Sequence, residues 1–219
     1  MSGAASPRVV VLDYGSGNLR SACRALTHAG AQVTLTSDVQ QAVASDGLVV
    51  PGVGAYAACM AGLEAIGGVD AIHARVADKR PLLGICVGYQ VLFEQGVEHG
   101  VRTAGCGVLP GRVERLTARR LPHMGWNTVG AAPQSRLFAG IDDQRFYFVH
   151  SYGVHATTGD YLTWTEHESD RFISAVEHGC VSGTQFHPEK SGAVGLRLLR
   201  NWVRALDGGA RLHSRHWLR

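Results

Sequence analysis

The chain has 219 residues, 45% hydrophobic and 18% charged, with a formal net charge of +3. That length fits one α/β domain able to bury a substantial core, and the ordinary composition argues against a disordered or fibrous chain. The mild basic excess, without zinc-finger spacing, an aromatic ribonucleoprotein motif or a lysine stripe, argues against nucleic-acid binding. No run approaches transmembrane length, and "MSGAASPR" lacks the apolar core of a signal peptide, so the expectation is a soluble, cytoplasmic protein with no membrane association. Five cysteines, an odd number without a CxxC, fit reduced thiols rather than a disulfide scaffold.

Along the chain, "RVVVLDYG" (8–15) reads as a strand ending in a turn, and "GNLRSACRALTHAG" (17–30) as a helix stopped by glycine. "AQVTLTS" is a second strand, "DVQQAVAS" a short helix, and "GLVVPGVG" (47–54) a third strand entering a Pro/Gly loop. Helical spacing returns in "YAACMAGLEAI" and "GVDAIHARVADK", and "PLLGIC" is a fourth strand. Beyond it, "LLGICVGYQVLFEQG" (82–96) passes from an apolar run into a helical pattern. From Gly107 to Gln185 the segments are short, strand-like and divided by turns, which suggests an antiparallel extension of the sheet. A closing helix starts near Gly192, and the tail after "DGG" is expected to fray. Strands alternating with helices imply a doubly wound, mostly parallel α/β sheet. No repeat or linker divides the chain, so residues 1–219 read as one domain with a core of about 8–206.

Ligands of such sheets sit at the carboxyl ends of the strands, where "PGVG" and Cys86 would lie side by side. Gly84 and Gly88 flank Cys86, as a sharp strand-to-helix elbow requires, and the start of the following helix would favour a thiolate. The alternative is a small buried cysteine. A cysteine nucleophile needs a base, and the base needs an orienting group. "TQFHPEK" offers His187 and Glu189, two apart on an extended segment and so directed to one side. An H-x-E alone could equally lie on the surface or bind metal, but no third ligand with zinc spacing stands nearby, and no metal is expected. The Val53 N–H, between two glycines, and the Val87 N–H, directly after Cys86, are candidate oxyanion donors, although "PGVG" alone could be an ordinary turn.

These residues resemble a known family. "GICVGYQ" followed by "FHPE" is similar to the class I (triad) glutamine amidotransferases. "DYGSGN", "PGVGAY", "LPHMGWN", "FVHSY" and "GTQFHPEKS" resemble, within it, the glutaminase subunits of imidazole glycerol phosphate synthase, from residue 13 to 191. The resemblance implies a flavodoxin-like domain and a Cys86–His187–Glu189 triad that hydrolyses glutamine through a γ-glutamyl thioester, without a cofactor. It implies Gln90, Gly52 and the backbone at Ser151 and Tyr152 as the L-glutamine positions, though Gln90 by itself could be a helix-surface amide. It implies a (β/α)₈ barrel cyclase partner that receives the ammonia and makes imidazole glycerol phosphate and an aminoimidazole carboxamide ribonucleotide.

In "LPHMGWN", an exposed Met124 and Trp126 flanked by His123, Gly125 and Asn127 would suit that partner, although Trp126 could instead fill the core. Tyr147 and Lys190 match positions near the ammonia exit. The competing readings are a glutaminase for anthranilate, pyridoxal phosphate or purine synthesis, a non-catalytic docking subunit, and a free-standing Cys-His hydrolase.

Overall fold

A computed structural model describes the backbone of residues 5–213 and the side chains of residues 5–206. Five parallel strands form its centre: β1 (Arg8–Leu12), β2 (Gln32–Thr36), β3 (Gly47–Gly52), β4 (Leu82–Cys86) and, far later in the chain, β13 (Val181–Thr184). Their spatial order is β2-β1-β3-β4-β13, the 2-1-3-4-5 order of flavodoxin-like sheets. β3 and β4 are buried at every position, which is why they read as unbroken apolar runs.

The helices fall into two packed groups, as in a doubly wound sheet. α1 (Leu19–His28) lies with α6 (Gly192–His213), and α2 (Val39–Ala44) with α4 (Gly68–Ala77), which also meets α3 (Tyr56–Ala65). α6 carries through Asp207, Gly208 and Gly209 to His213; the rest of the tail expected to fray lies outside the described residues.

At the amino ends of the strands, Arg75 of α4 is wholly buried, and its hydrogen bonds go to backbone carbonyls and the Ser45 hydroxyl. Its guanidinium donates to the carbonyls of Ala42, Val43 and Ser45 at the end of α2, and to that of Pro81 before β4, at 2.6–3.0 Å. The Ala42, Val43 and Ser45 carbonyls lie at the end of α2, where a helix leaves its acceptors without helical partners. Burial lowers the guanidinium to about 10, still charged at neutral pH.

The second half departs from the expected plain antiparallel extension. β13 joins the parallel strands beside β4. β12 (Asp170–His178), β11 (Tyr161–His167), β10 (Tyr152–Val154) and β7 (Leu109–Arg115) do extend the sheet antiparallel. β8 (His123–Thr128) and β9 (Arg145–His150) leave it and form a separate two-stranded sheet. β9 turns Phe146, Phe148 and His150 inward, and the Phe146 and Phe148 rings pack on Phe186. The helical pattern expected after Cys86 is a single turn, α5 (Val87–Gln90), followed by β5 (Phe93–Glu98) and β6 (Val101–Ala104). β5 pairs with β6 and β7, so tertiary pairing overrides the helical spacing of residues 91–96. The hairpin turns on His99 and Gly100, both at positive φ, as a two-residue primed turn demands.

Replacing Arg75 with leucine should lower stability by about 2–4 kcal/mol, because four charge-assisted hydrogen bonds to carbonyls are lost and the Val43 carbonyl is left without a donor. Thermal unfolding should show a fall in Tm of roughly 5–15 °C for a chain of this size; an unchanged Tm would rule out the clamp.

Candidate active site

The sharp turn expected at Cys86 is present. Cys86 ends β4 with φ 55° and ψ −115°, a conformation that costs a non-glycine residue about 1–3 kcal/mol. Packing around the glycines holds it there. A Cβ on Gly88 would lie 1.9 Å from the Val50 carbonyl oxygen, and one on Gly84 would lie 2.7 Å from the Gly88 oxygen. A Cβ on Gly52, paired across the sheet with Cys86, would lie 2.4 Å from the Gly88 nitrogen. Only glycine lets β3, β4 and α5 approach this closely. Because α5 is one turn long, the helix-end charge expected to favour a thiolate shrinks to a few local N–H groups.

His187 follows β13, and a 3-10 turn from Pro188 to Lys190 carries Glu189. Glu189 Oε1 lies 2.8 Å from His187 Nδ1, with both side chains almost fully buried. His187 Nε2 is buried with no protein hydrogen-bond partner, and His187 and Cys86 line the same cavity. Burial opposes charge on the ring, but the adjacent Cys86 thiol and Glu189 carboxylate outweigh it and push His187 up to about 9. The His187 backbone is pinned as well: its N–H donates to the Tyr147 carbonyl, and its carbonyl accepts from Ser191 Oγ, which also receives the Tyr147 N–H.

The cavity, of about 320 Å³, is lined by Cys86, Val87, Gln90, Ser151, Tyr152 and His187 among others. Gln90 is buried rather than on a helix surface; its Nε2 donates to the Tyr152 carbonyl at 2.8 Å and to Gln185 Oε1 at 2.9 Å. Gln185 Nε2 in turn stands 3.9 Å from Cys86 Sγ. The Ser151 carbonyl accepts the Leu116 N–H, so the carbonyls at both expected backbone positions are engaged within the protein. Gln185, Glu98 and Ser191 were not singled out from sequence. Membership in "GTQFHPEKS" was a signal for Gln185 and Ser191, whereas Glu98 sits in the unexpected β5 and supplies an acidic side chain to the cavity wall.

Two expectations change. The Val53 N–H, expected to turn inward, donates to the Ser16 hydroxyl at 3.0 Å, and that hydroxyl donates back to the Val53 carbonyl at 2.8 Å. Val53 therefore lines the cavity without presenting its N–H there. His123, grouped with the exposed partner residues, is buried, while Met124 and Trp126 are 61% and 47% exposed. Trp126 packs edge-to-face on Tyr147. Gly125, Asn127 and Tyr147 are half-buried and Lys190 is exposed at the cavity rim.

A model of the family "Glutamine amidotransferase class-I" matches residues 10–206, and the chain belongs to that family. Within it, the chain is 58% identical over 205 residues to the imidazole glycerol phosphate synthase subunit HisH of Corynebacterium diphtheriae, covering 90% of this chain and 98% of that protein. It is 60% identical to the HisH subunit of Nocardia farcinica, covering 90% and 98%, and 59% identical to that of Thermobifida fusca, covering 91% and 99%. In fold it is similar to a crystal structure of a glutamine amidotransferase, with a TM-score of 0.72 at 21% identity, covering 91% of this chain and 98% of that one. PurLQS from Thermotoga maritima gives 0.67 at 17% identity, covering 94% and 99%. No helix among the described residues is long and apolar enough to cross a membrane.

Burial lowers His123 to about 4, helped by His167, and lowers His150 to about 3, helped by His123, His167 and His187. Both folded values lie below the ordinary value near 6.5, so the unfolded chain binds these protons first. Their stabilising effect is full above about pH 6.5 and declines as the pH falls toward 4. His187, raised, acts in the opposite window, stabilising fully below about 6.5 and losing that effect as the pH rises through about 9. Denaturant midpoints should fall between pH 6.5 and 4.5, above the range of ordinary carboxylates. His123→Gln should flatten that slope, and an unchanged slope would contradict it.

Proposed function

We propose that this chain is the glutaminase subunit of an imidazole glycerol phosphate synthase, acting in the cytoplasm as one domain with a core of about 8–206. It hydrolyses L-glutamine and passes the ammonia to a (β/α)₈ barrel cyclase subunit. The observation that supports this most strongly is the match to HisH subunits over nearly their full length.

In this reading Cys86 has given its proton to His187 Nε2, in line with the raised His187, and the thiolate attacks the γ-amide carbon of glutamine. Glu189 fixes the ring tautomer through Nδ1 and offsets the imidazolium charge. His187 then delivers the proton to the departing nitrogen, ammonia leaves, and a γ-glutamyl thioester remains on Cys86. Water, deprotonated by His187, attacks the thioester carbonyl; glutamate is released and the proton returns to the thiol. Gln90 and the Ser151–Tyr152 backbone, which line the cavity, hold the substrate together with Gly52, paired beside Cys86 at the end of β3, and Glu98 is the carboxylate suited to its α-ammonium group.

The Val87 N–H stabilises the oxyanion at once, whereas the Val53 N–H must first leave Ser16. With glycine on either side, that peptide rotation is cheap, so docking of the liganded barrel can complete the oxyanion hole. Met124, Gly125, Trp126 and Asn127 form the docking face with Tyr147, and Lys190 stands at the ammonia exit.

Glutamate release should be measured for the chain alone, with the barrel, and with the barrel plus its nucleotide ligand. Wild type should be stimulated by orders of magnitude in the last mixture, and Cys86→Ala should lose at least about a thousandfold. Full activity of the isolated chain would favour a free-standing hydrolase, and none in any mixture a docking subunit. Ser16→Ala should raise the unstimulated rate several-fold, because it releases the Val53 N–H; an unchanged or lower rate would refute the latch.

A further inference from the structure

His123 and His150, both buried, and the half-buried Asn127 form a polar chain that the chemistry above does not use. His123 Nδ1 lies 2.9 Å from His150 Nε2, and the two residues face one another across the β8–β9 pair. His150 Nδ1 lies 2.8 Å from the Tyr152 carbonyl, and Asn127 Nδ2 lies 3.1 Å from His123 Nε2. Both rings are buried among Phe148 and Phe172.

The direction of every hydrogen in this chain follows from its two ends. The Tyr152 carbonyl can only accept, so His150 carries its hydrogen on Nδ1 and leaves Nε2 as an acceptor. His123 must then donate from Nδ1 and accept at Nε2. At the other end, Asn127 Nδ2 also donates to the Glu166 carbonyl at 2.9 Å, while Asn127 Oδ1 accepts the Thr128 N–H at 2.8 Å, which leaves one amide hydrogen for His123. The two assignments agree, and they allow one tautomer for each ring. An added proton anywhere in the chain breaks a bond. The stacked His167, held by the Arg120 carbonyl, adds further cost to charging His123.

The chain joins the two sheets at the point where the cavity is built. Its inner end, the Tyr152 carbonyl, is the same atom that receives Gln90 Nε2, so two donors share it. Its outer end is on β8, whose neighbouring residues Met124 and Trp126 are the exposed apolar ones. β8 has no ladder with the main sheet; Asn127 to the Glu166 carbonyl and the short bridge of Gly130 to Trp164 tie that hairpin to β11.

We propose that Asn127, His123 and His150 are positioning residues, a directional hydrogen-bond relay through which docking at the Met124–Trp126 face resets Gln90 in the glutamine cavity. This rests on the functional reading above for the identity of the partner. A shift of the β8–β9 hairpin against the main sheet carries the paired His123 and His150 together, changes the Nδ1–H that Tyr152 receives, and so alters the balance between its two donors. The relay acts on substrate alignment, because Gln90 and Tyr152 line the cavity; His187 meets the same hairpin by a different route, through the Tyr147 carbonyl.

The test follows the Gln90 side-chain amide and the His150 ring nitrogens by NMR in the full-length chain, free and saturated with the cyclase barrel, alongside glutaminase rates with and without the barrel's nucleotide ligand. In wild type, barrel binding should shift the Gln90 amide. Cutting the relay by His123→Phe, or at its outer end by Asn127→Leu, should abolish that shift and lower the ratio of stimulated to unstimulated rate at least tenfold. His123→Gln, which can accept from Asn127 and donate to His150, should restore the ratio to within about threefold. A Gln90 shift that persists in both cut variants overturns the relay, as does a His123→Gln protein as impaired as His123→Phe. If His123→Phe does not fold, Asn127→Leu decides in the same way. A wild-type complex that hydrolyses no glutamine would refute the functional reading, while the Gln90 shift would still decide the relay.

Discussion

Everything at the site depends on how closely β3 approaches the turn after β4. The Val50 carbonyl and the Gly88 Cα leave no space for a methyl group, and Gly52 meets the Gly88 nitrogen under the same restriction. Van der Waals exclusion, rather than any strong bond, thus holds Cys86 in its unfavourable backbone conformation and brings the "PGVG" loop beside it. The strain is tolerable because buried strands surround it on both sides and over-determine the path of the chain. Loosening this contact would relax Cys86 into a buried apolar residue with no chemistry.

The site also bridges two bodies of different stiffness. Cys86, Gln90 and Gln185 sit on or beside the main sheet, which is pinned at its far end by Arg75. His187 leaves β13 and is gripped by the backbone of β9, in the smaller sheet. Aromatic packing of Phe146 and Phe148 on Phe186 holds that sheet in place, yet dispersion contacts of this kind tolerate small sliding better than a backbone ladder does. Directional hydrogen bonds do not, so the polar contacts between the two bodies set their register.

The parallel half was legible in the sequence because strands buried on both faces leave continuous apolar runs, and glycine marks where each one turns. Cys86, His187 and Glu189 stood out for the same local reasons, through flanking glycines and a two-residue spacing. β5 and β6 were not legible: residues 91–98 carry a spacing that fits a helix, and only pairing with β7 decides otherwise. β8 and β9 read correctly as strands, but their departure from the sheet depends on long-range packing that no local pattern encodes. The pairing of His123 with His150 was hidden, because a neutral buried histidine pair differs from exposed histidines only in what surrounds it. The state of the Val53 N–H was equally hidden, since it turns on one hydroxyl from a distant loop.

The place of β13 has a consequence for assembly. It enters between β4 and β12, so the imidazole and the thiol come from chain segments about as far apart as Cys86 and Gln185, which are separated by 99 positions. Closing so long a loop is slow compared with forming local helices and hairpins. A growing chain therefore carries Cys86 on an open strand edge well before a base can reach it, and the reactive pair arises only as the sheet is completed. A molecule in which β13 has not yet paired with β4 holds the thiol apart from its base.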